Sequence, residues 1–246
     1  MFSKKRLPFV LLGLGILVFV GTFIFTKVNV MRDANLSEDG KASEIPLEKR
    51  PVVSLIPIKE GHFLKLRVEK IDLKASFLDY ELLYDVPGGV TQGVPGSVNI
   101  KGLSSFETEI LLGSESSGKF RYDEGVEQGT ITVRFRDDKG KLMAKFTSDF
   151  RMQSNVDLIS SIDDNFTIKF DKPVKDTVVV MHTIGSKSKL PPEILHGPYG
   201  VFSENSLEFL ADVSVKNASK IYYDQDSYKE VSQTTRFKTP VFFVAK

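Results

Sequence analysis

The sequence predicts a mainly β protein, with an N-terminal transmembrane helix followed by two tandem antiparallel β-sandwich modules. Three observations carry this. Leu7 to Thr26, LPFVLLGLGILVFVGTFIFT, is twenty residues without a charge. From Phe63 onward apolar residues recur at every second position, the period of a strand with one buried face. That pattern breaks at Gln153–Asp157 and restarts, and within this body no stretch longer than about ten residues has convincing helical spacing.

A helix rises about 1.5 Å per residue, so Leu7–Thr26 spans roughly 30 Å, the thickness of the bilayer hydrocarbon. Pro8, Gly13, Gly15 and Gly21 would weaken a helix in water but are common in membrane helices. A cleaved signal peptide has a shorter apolar region, about 7–15 residues, and a small-x-small exit. Here the run leaves through Phe23-Ile24-Phe25-Thr26-Lys27. The expectation is a retained anchor, with the lipid bilayer as a partner through residues 7–26. Lys4, Lys5 and Arg6 precede the helix while Lys27, Arg32 and Lys41 follow it, so the positive-inside tally is nearly balanced. The turn-rich β composition tilts the expectation towards a single-pass cell-membrane protein, with residues 1–6 cytoplasmic and the C-terminal body extracytoplasmic.

Removing the anchor leaves about 220 residues, enough for one large or two small domains. Net charge is +1 with both signs interspersed, and no basic stripe exists to neutralise phosphates, so nucleic acid is not an expected partner. With no cysteine, disulfides, thiolate metal sites, a lipid-modified terminal cysteine and a cysteine nucleophile are all excluded. A cysteine-free exported body suits a bacterial envelope.

Residues 27–61 carry Pro46, Pro51 and Pro57 among short apolar pieces and read as an extended linker. Val52–Ile58 equally fits a first edge strand. The first module is expected over 62–153. Leu64, Leu66 and Val68 alternate with Lys65, Arg67 and Glu69; Leu78, Tyr80, Leu82 and Tyr84 alternate with Asp79, Glu81 and, past Leu83, Asp85. Pro87-Gly88-Gly89 is a turn, Val98 with Ile100 and Phe106–Leu112 are short strands, and Gly113–Gly118 is a serine-rich loop. Ile131, Val133 and Phe135, a turn at Asp137-Asp138-Lys139-Gly140, then Leu142, Ala144, Phe146 and Phe150 make the clearest hairpin. The second module is expected over 156–246. Phe166, Ile168 and Phe170 alternate; Thr177–His182 is a continuous apolar run bounded by turn signals, as a buried sandwich strand would be. Ser186–Gly200 is the longest expected loop. Phe209–Val215, Ile221–Tyr223, Tyr228–Val231 and Val241–Ala245 complete the strands, with Asp224–Ser227 a hairpin turn.

Tyr80-Glu81-Leu82-Leu83-Tyr84 followed by Gly88-Gly89-Val90-Thr91-Gln92-Gly93-Val94 resembles the early strands of bacterial Ig-like or fibronectin-type-III-like modules. Ser104-Ser105-Phe106, Leu111-Leu112-Gly113 and Ile131–Phe135 extend the likeness through the first module. Tyr222–Val231 and Pro240–Ala245 resemble the end of a second. The chain is thus similar to uncharacterised membrane-anchored β-sandwich proteins of small-genome uncultured bacteria. That resemblance implies a fold and a surface location, and brings no catalytic residues with it. The Ig disulfide and core tryptophan are absent.

Candidate chemistry is sparse. Ser116-Ser117-Gly118-Lys119 and Ser186-Lys187-Ser188-Lys189 match S-x-x-K, but both fall in expected loops without the S-D-N and K-T-G companions. His62, His182 and His196 lack metal-ligand spacing. Asp163-Asp164 and Asp224-x-Asp226 could hold calcium in a loop, yet neither has EF-hand spacing, and Asp commonly caps turns. Asn35, Asn165 and Asn217 head glycosylation sequons. His196-Gly197-Pro198-Tyr199-Gly200 is the one segment with the look of a binding loop, placing the imidazole of His196 and the phenol of Tyr199 in a proline-framed stretch. The alternative is a stiff turn with Tyr199 packed on the sheet. No catalytic residue, cofactor or metal site is expected. The functional expectation is a structural, adhesive or binding role at the cell envelope towards a protein or glycan partner. The alternatives are an accessory subunit of a membrane complex, or an envelope hydrolase with an unrecognised carboxylate site.

Overall fold

The computed structural model describes residues 45–246 other than Gln233. The expected N-terminus (1–6), the transmembrane helix (7–26) and much of the linker (27–61) therefore lie outside the described residues. Among the described residues no helix is long and apolar enough to cross a membrane.

A single 3-10 turn, Leu47–Lys49, precedes β1 (Val52–Ile58), β2 (Phe63–Glu69), β3 (Phe77–Val86), β4 (Val90–Asn99) and β5 (Ser105–Leu111). Next come β6 (Gly113–Ser116), β7 (Lys119–Tyr122), β8 (Gln128–Arg136) and β9 (Leu142–Gln153). The second half contributes β10 (Val156–Ser160), β11 (Phe166–Val174), β12 (Val178–His182), β13 (His196–Ser203) and β14 (Glu208–Val215). It closes with β15 (Ile221–Asp224), β16 (Tyr228–Glu230), β17 (Thr235–Lys238) and β18 (Val241–Ala245).

These strands form four antiparallel sheets. A nine-stranded sheet in the order β16-β15-β18-β13-β12-β9-β8-β3-β4 draws on both halves of the sequence. Its two halves meet at the ladder between β9 and β12, where Met152 faces Val179 and Phe150 faces Met181. The break at 153–156 divides the sequence but not this sheet. A three-stranded sheet, β1-β2-β5, and a four-stranded sheet, β10-β11-β14-β17, complete the body with the two-stranded β6-β7.

Two hydrophobic cores result. In the first, Leu55, Leu64, Leu66 and Val68 pack with Leu78, Leu82, Tyr84, Ile131, Val133, Phe135 and Phe150. In the second, Phe166, Ile168, Phe170, Phe209 and Phe237 pack with Tyr199, Val201 and Phe243. The central strands serve both, because successive side chains of a strand point to opposite faces. Val179 and Met181 of β12 lie in the first core, and Val178 and Val180 in the second. Phe202 and Phe242 face the first core while Val201 and Phe243 face the second. The uninterrupted apolar run at Thr177–His182 is the sequence consequence of that double burial. On β3, β8 and β9 the face away from the first core is polar instead: Arg136 Nε donates to Asp79 at 2.7 Å, and Thr130 Oγ1 donates to Asp149 at 2.8 Å.

The β8–β9 hairpin is as the sequence predicts, and its turn chemistry is explicit. The Asp137 carboxylate accepts the backbone N–H groups of Lys139 and Lys141, both at 2.9 Å, and Gly140 takes φ 80°. Val52–Ile58 takes the strand alternative, and all of its residues but Ile56 are buried. Several segments differ from expectation, β7, β17 and the first part of β4 being strands the sequence did not suggest. Gly113–Gly118 contains β6 and a turn rather than only loop, β10 begins at Val156 inside the expected junction, and the last part of the expected Ser186–Gly200 loop is β13. Gly and Pro at 197, 198 and 200 signal a loop locally. Pairing with β12 on one side and β18 on the other overrides that signal.

β1 is docked onto the shared sheet through backbone groups. Val53 N–H donates to Thr183 O at 2.9 Å, and Val52 bridges Ile184. Ile184 has φ 66° and is spanned by a 2.7 Å bond from Gly185 N–H to Thr183 O, a γ-turn of the strained, positive-φ kind. Such a residue costs about 1–3 kcal/mol. Burial of the Ile184 side chain in the first core offsets that cost. Gly185 is needed beside it, since a Cβ there would stand 2.3 Å from the Arg50 carbonyl.

Met181→Ala is predicted to lower the unfolding free energy by about 2–5 kcal/mol, because a buried strand at the centre of the sheet cannot collapse around the lost volume. Leu195→Ala, at a side chain 77% exposed, is predicted to stay within about 0.5 kcal/mol of wild type. Urea unfolding monitored by circular dichroism checks both.

Candidate ligand-binding surface

Among the described residues the most exposed aromatic feature is the β6–β7 hairpin, which pairs with no other described sheet. Ser116 pairs with Lys119 across a two-residue turn in which Ser117 and Gly118 have φ 51° and 76°. Positive φ at both central residues is the turn that matches the natural twist of a hairpin. The two-residue period then places Phe120 and Tyr122 on one face and Lys119 and Arg121 on the other. Phe120 is 48% exposed and Tyr122 37% exposed, with their rings parallel to within 4° at 6.1 Å between centroids. His62 stacks on Tyr122 at 4.1 Å, and Phe63 meets Phe120 and Tyr122 edge-on at 6.0 and 6.2 Å. Phe63 is buried and forms the floor of this platform.

His62 reaches that position through the β1–β2 turn. Lys59, Glu60 and Gly61 have φ 54°, 60° and 86°, and this left-handed run reverses the chain between Ile58 and Phe63. The Glu204 carboxylate, from the turn between β13 and β14, accepts the N–H groups of Lys59 at 2.8 Å and Glu60 at 3.2 Å. Successive N–H groups in such a run form an anion-binding concavity, here filled by the chain's own carboxylate. On the other side, Leu112 N–H donates to His62 O at 2.9 Å, which ties the turn to the base of the hairpin.

A groove of about 300 Å³ opens beside the platform, lined by Glu60, Gly61, His62, Asp123–Glu127, Met152–Ser154, Val156 and Thr177. Four of these residues carry carboxylates, and none is lysine or arginine. Asp123 is fixed by its N–H bond to Leu112 O at 3.0 Å and by the Tyr84 hydroxyl, which donates to its Oδ2 at 2.9 Å. Tyr84 is 1% exposed; burial first, and then the Asp123 carboxylate, hold its phenol well above the ordinary tyrosine range. Asp123 is thereby anchored, while Glu60, Glu124 and Glu127 are exposed at the rim.

The residues singled out from sequence lie elsewhere. His196 and Tyr199 are both on β13, separated by a register irregularity that contains Gly197 at φ 92°. Tyr199 is 1% exposed, packed on Phe166 at 4.8 Å and on His182 at 4.3 Å, and burial pushes its phenol up to about 12. That is the packed alternative for this residue; His196 is partly buried and pairs with Ala245 in the ladder. His182 Nε2 lies 3.8 Å from Asp163 Oδ2. Burial lowers the His182 pKa against the opposing pull of Asp163 and Asp149. Asp163 accepts from the Ser161 hydroxyl and from Asn165 N–H, the capping role expected of a turn Asp, and Asp164 pairs with Arg151 at 3.9 Å. Asp224 is 2% exposed on β15, and its Oδ1 has no hydrogen-bond partner among the described residues; Asp226 is exposed in the following turn. Among the described residues no three His, Asp or Glu side chains are grouped to hold a metal. The hydroxyl of Ser186 is buried and shared with Tyr228 at 2.7 Å, while Ser116 and Lys119 flank the hairpin turn, so neither S-x-x-K serine heads a helix.

Sequence reasoning did not single out Phe120 and Tyr122. The available signal was the alternation Lys119-Phe120-Arg121-Tyr122 straight after Ser117-Gly118, a short strand behind a hairpin dipeptide.

The buried phenols give a pH dependence of defined sign. Tyrosine titrates near 10 in an unfolded chain. Tyr84 and Tyr199 are held above that value, so the unfolded state loses their protons first. Stability is therefore predicted to be full below about pH 10 and to fall as pH rises from about 10 towards 12. Urea midpoints between pH 8 and 11, with tyrosinate absorbance followed in parallel, check this; a flat profile across pH 10 would contradict it. No protein-family profile matches the chain, and no curated protein sequence matches it.

Proposed function

We propose that the chain is a single-pass, membrane-anchored, extracytoplasmic binding protein of the cell envelope, whose body presents the β6–β7 aromatic platform to a partner. The observation that carries this is the pair of exposed parallel rings, Phe120 and Tyr122, braced by His62 and Phe63 beside a polar groove. Rings of this size left in solvent are unfavourable to expose without a use, and aromatic residues dominate contact energies at interfaces. The anchor part of the reading rests on the uncharged run Leu7–Thr26. The two cores support a body of two Ig-like or fibronectin-III-like modules, fused through the nine-stranded sheet rather than strung on a linker. In this reading the chain binds rather than catalyses, and its partner is an envelope protein or glycan.

Two outcomes are expected in intact cells expressing the full chain with a C-terminal tag. External protease removes the tag, which places the body outside. Phe120→Ala/Tyr122→Ala, both surface changes, leaves the thermal unfolding temperature within a few degrees but reduces retention of the full chain on isolated envelope material. Protection of the tag until the cytoplasmic membrane is breached would reverse the orientation and remove the extracytoplasmic reading.

A further inference from the structure

We infer that the platform and its groove recognise a lysine-bearing peptide segment, with the side-chain methylenes laid across Phe120 and Tyr122 and the ammonium directed into the groove. The inference rests on the binding reading above and adds the chemical class of the partner.

Three observations converge on it. Phe120 and Tyr122 are both exposed, and a cation over an aromatic face is stabilised by about 0.5–2 kcal/mol according to its desolvation. The groove shares His62 with the platform, and its described lining carries four carboxylates and no lysine or arginine, so charge complementarity calls for a cation. The same ring cluster already holds an ammonium in this way: Lys59 Nζ lies 4.0 Å over the Phe63 ring and 2.7 Å from Glu109 Oε2. Ring and carboxylate together thus fix a lysine of the chain itself at one edge of the platform. The groove offers the Glu60, Glu124 and Glu127 carboxylates beside the same ring cluster, with no lysine or arginine among its described lining residues. A neutral sugar would use the rings equally well but would leave four carboxylates without a countercharge. A nucleic acid or anionic lipid would be repelled.

The full chain in detergent micelles or nanodiscs is titrated calorimetrically with acetyl-tetralysine-amide, with its ε-acetylated counterpart, with free 1,5-diaminopentane and with a neutral chitooligosaccharide. Tetralysine is expected to bind, the ε-acetylated peptide at least tenfold more weakly, and the diamine more weakly than the peptide because it lacks a backbone. Phe120→Ala/Tyr122→Ala and, separately, Glu124→Gln/Glu127→Gln are each expected to raise the tetralysine Kd at least tenfold. All four positions are exposed, so unchanged circular dichroism and melting confirm that each variant is folded. Raising salt is expected to weaken the charged component alone. Failure of wild type to bind tetralysine, equal binding of the ε-acetylated peptide, or indifference to the ring substitutions would each overturn the inference. If the oligosaccharide binds in a ring-dependent way and tetralysine does not, the cationic partner is wrong while the binding reading stands. If neither ligand binds and retention on envelope material is also indifferent to the rings, both readings fall.

Discussion

Val178, Val179, Val180 and Met181 sit side by side in one short strand yet divide between two hydrophobic cores, and the rest of the body is arranged around that division. A strand buried on both faces cannot expose either without loss of apolar burial, worth about 25 cal/mol per Å². It therefore needs a sheet above and a sheet below. The β1-β2-β5 sheet covers one face and the β10-β11-β14-β17 sheet covers the other, with β13 and β18 sharing the double burial. Phe202 and Phe242 face the first core although both come from the second half of the sequence, so that core is incomplete without them. β1 comes first along the body but is hydrogen-bonded to Thr183, and is thus fixed to the second half of the sequence. The strained Ile184 turn is tolerated because that docking and the burial of its side chain hold it.

The platform inherits its rigidity from this arrangement. The turn carrying His62 is gripped by Glu204 from the second half and by Leu112 from the first. Asp123, which links the hairpin to β8, is held by Tyr84 from inside the first core. Groove residues accordingly come from both halves of the chain: Glu60 and Asp123–Glu127 from the first, Val156 and Thr177 from the second. A surface assembled this way has its geometry set by the cores, while the rings of Phe120 and Tyr122 and the glutamate carboxylates stay exposed. Gly61 shows how tight that assembly is, since a Cβ there would stand 3.2 Å from the Thr177 hydroxyl.

Much of the fold was legible where burial imposes a period. The alternation through Leu78, Tyr80, Leu82 and Tyr84, and through Ile131, Val133 and Phe135, marks one buried face; the solid run before His182 marks two. The sequence could not say that the second covering layer comes from the same chain, because long-range pairing of β9 with β12 leaves no local signature. β13 was hidden by Gly197, Pro198 and Gly200, residues that punctuate chains locally and are overruled here by two flanking ladders. Tyr199 drew notice as a phenol near a proline, yet its ring serves the second core against Phe166. The candidate site itself was nearly illegible. Phe120 and Tyr122 belong to a four-residue strand with no buried face, and four exposed residues carry no hydrophobic period against which a functional aromatic would stand out. Glu60, Asp123, Glu124 and Glu127 are spread over more than sixty positions and meet only through folding.

Sharing one sheet should make the two cores a single cooperative body. Native-state hydrogen exchange under increasing denaturant tests it most directly, by comparing amides of β3, β12 and β11. The shared sheet predicts that the most protected amides of all three strands open at one common free energy, equal to that of global unfolding. Exchange of β11 and its sheet at a clearly lower free energy, with β3 still protected, would contradict it and make the halves separable modules.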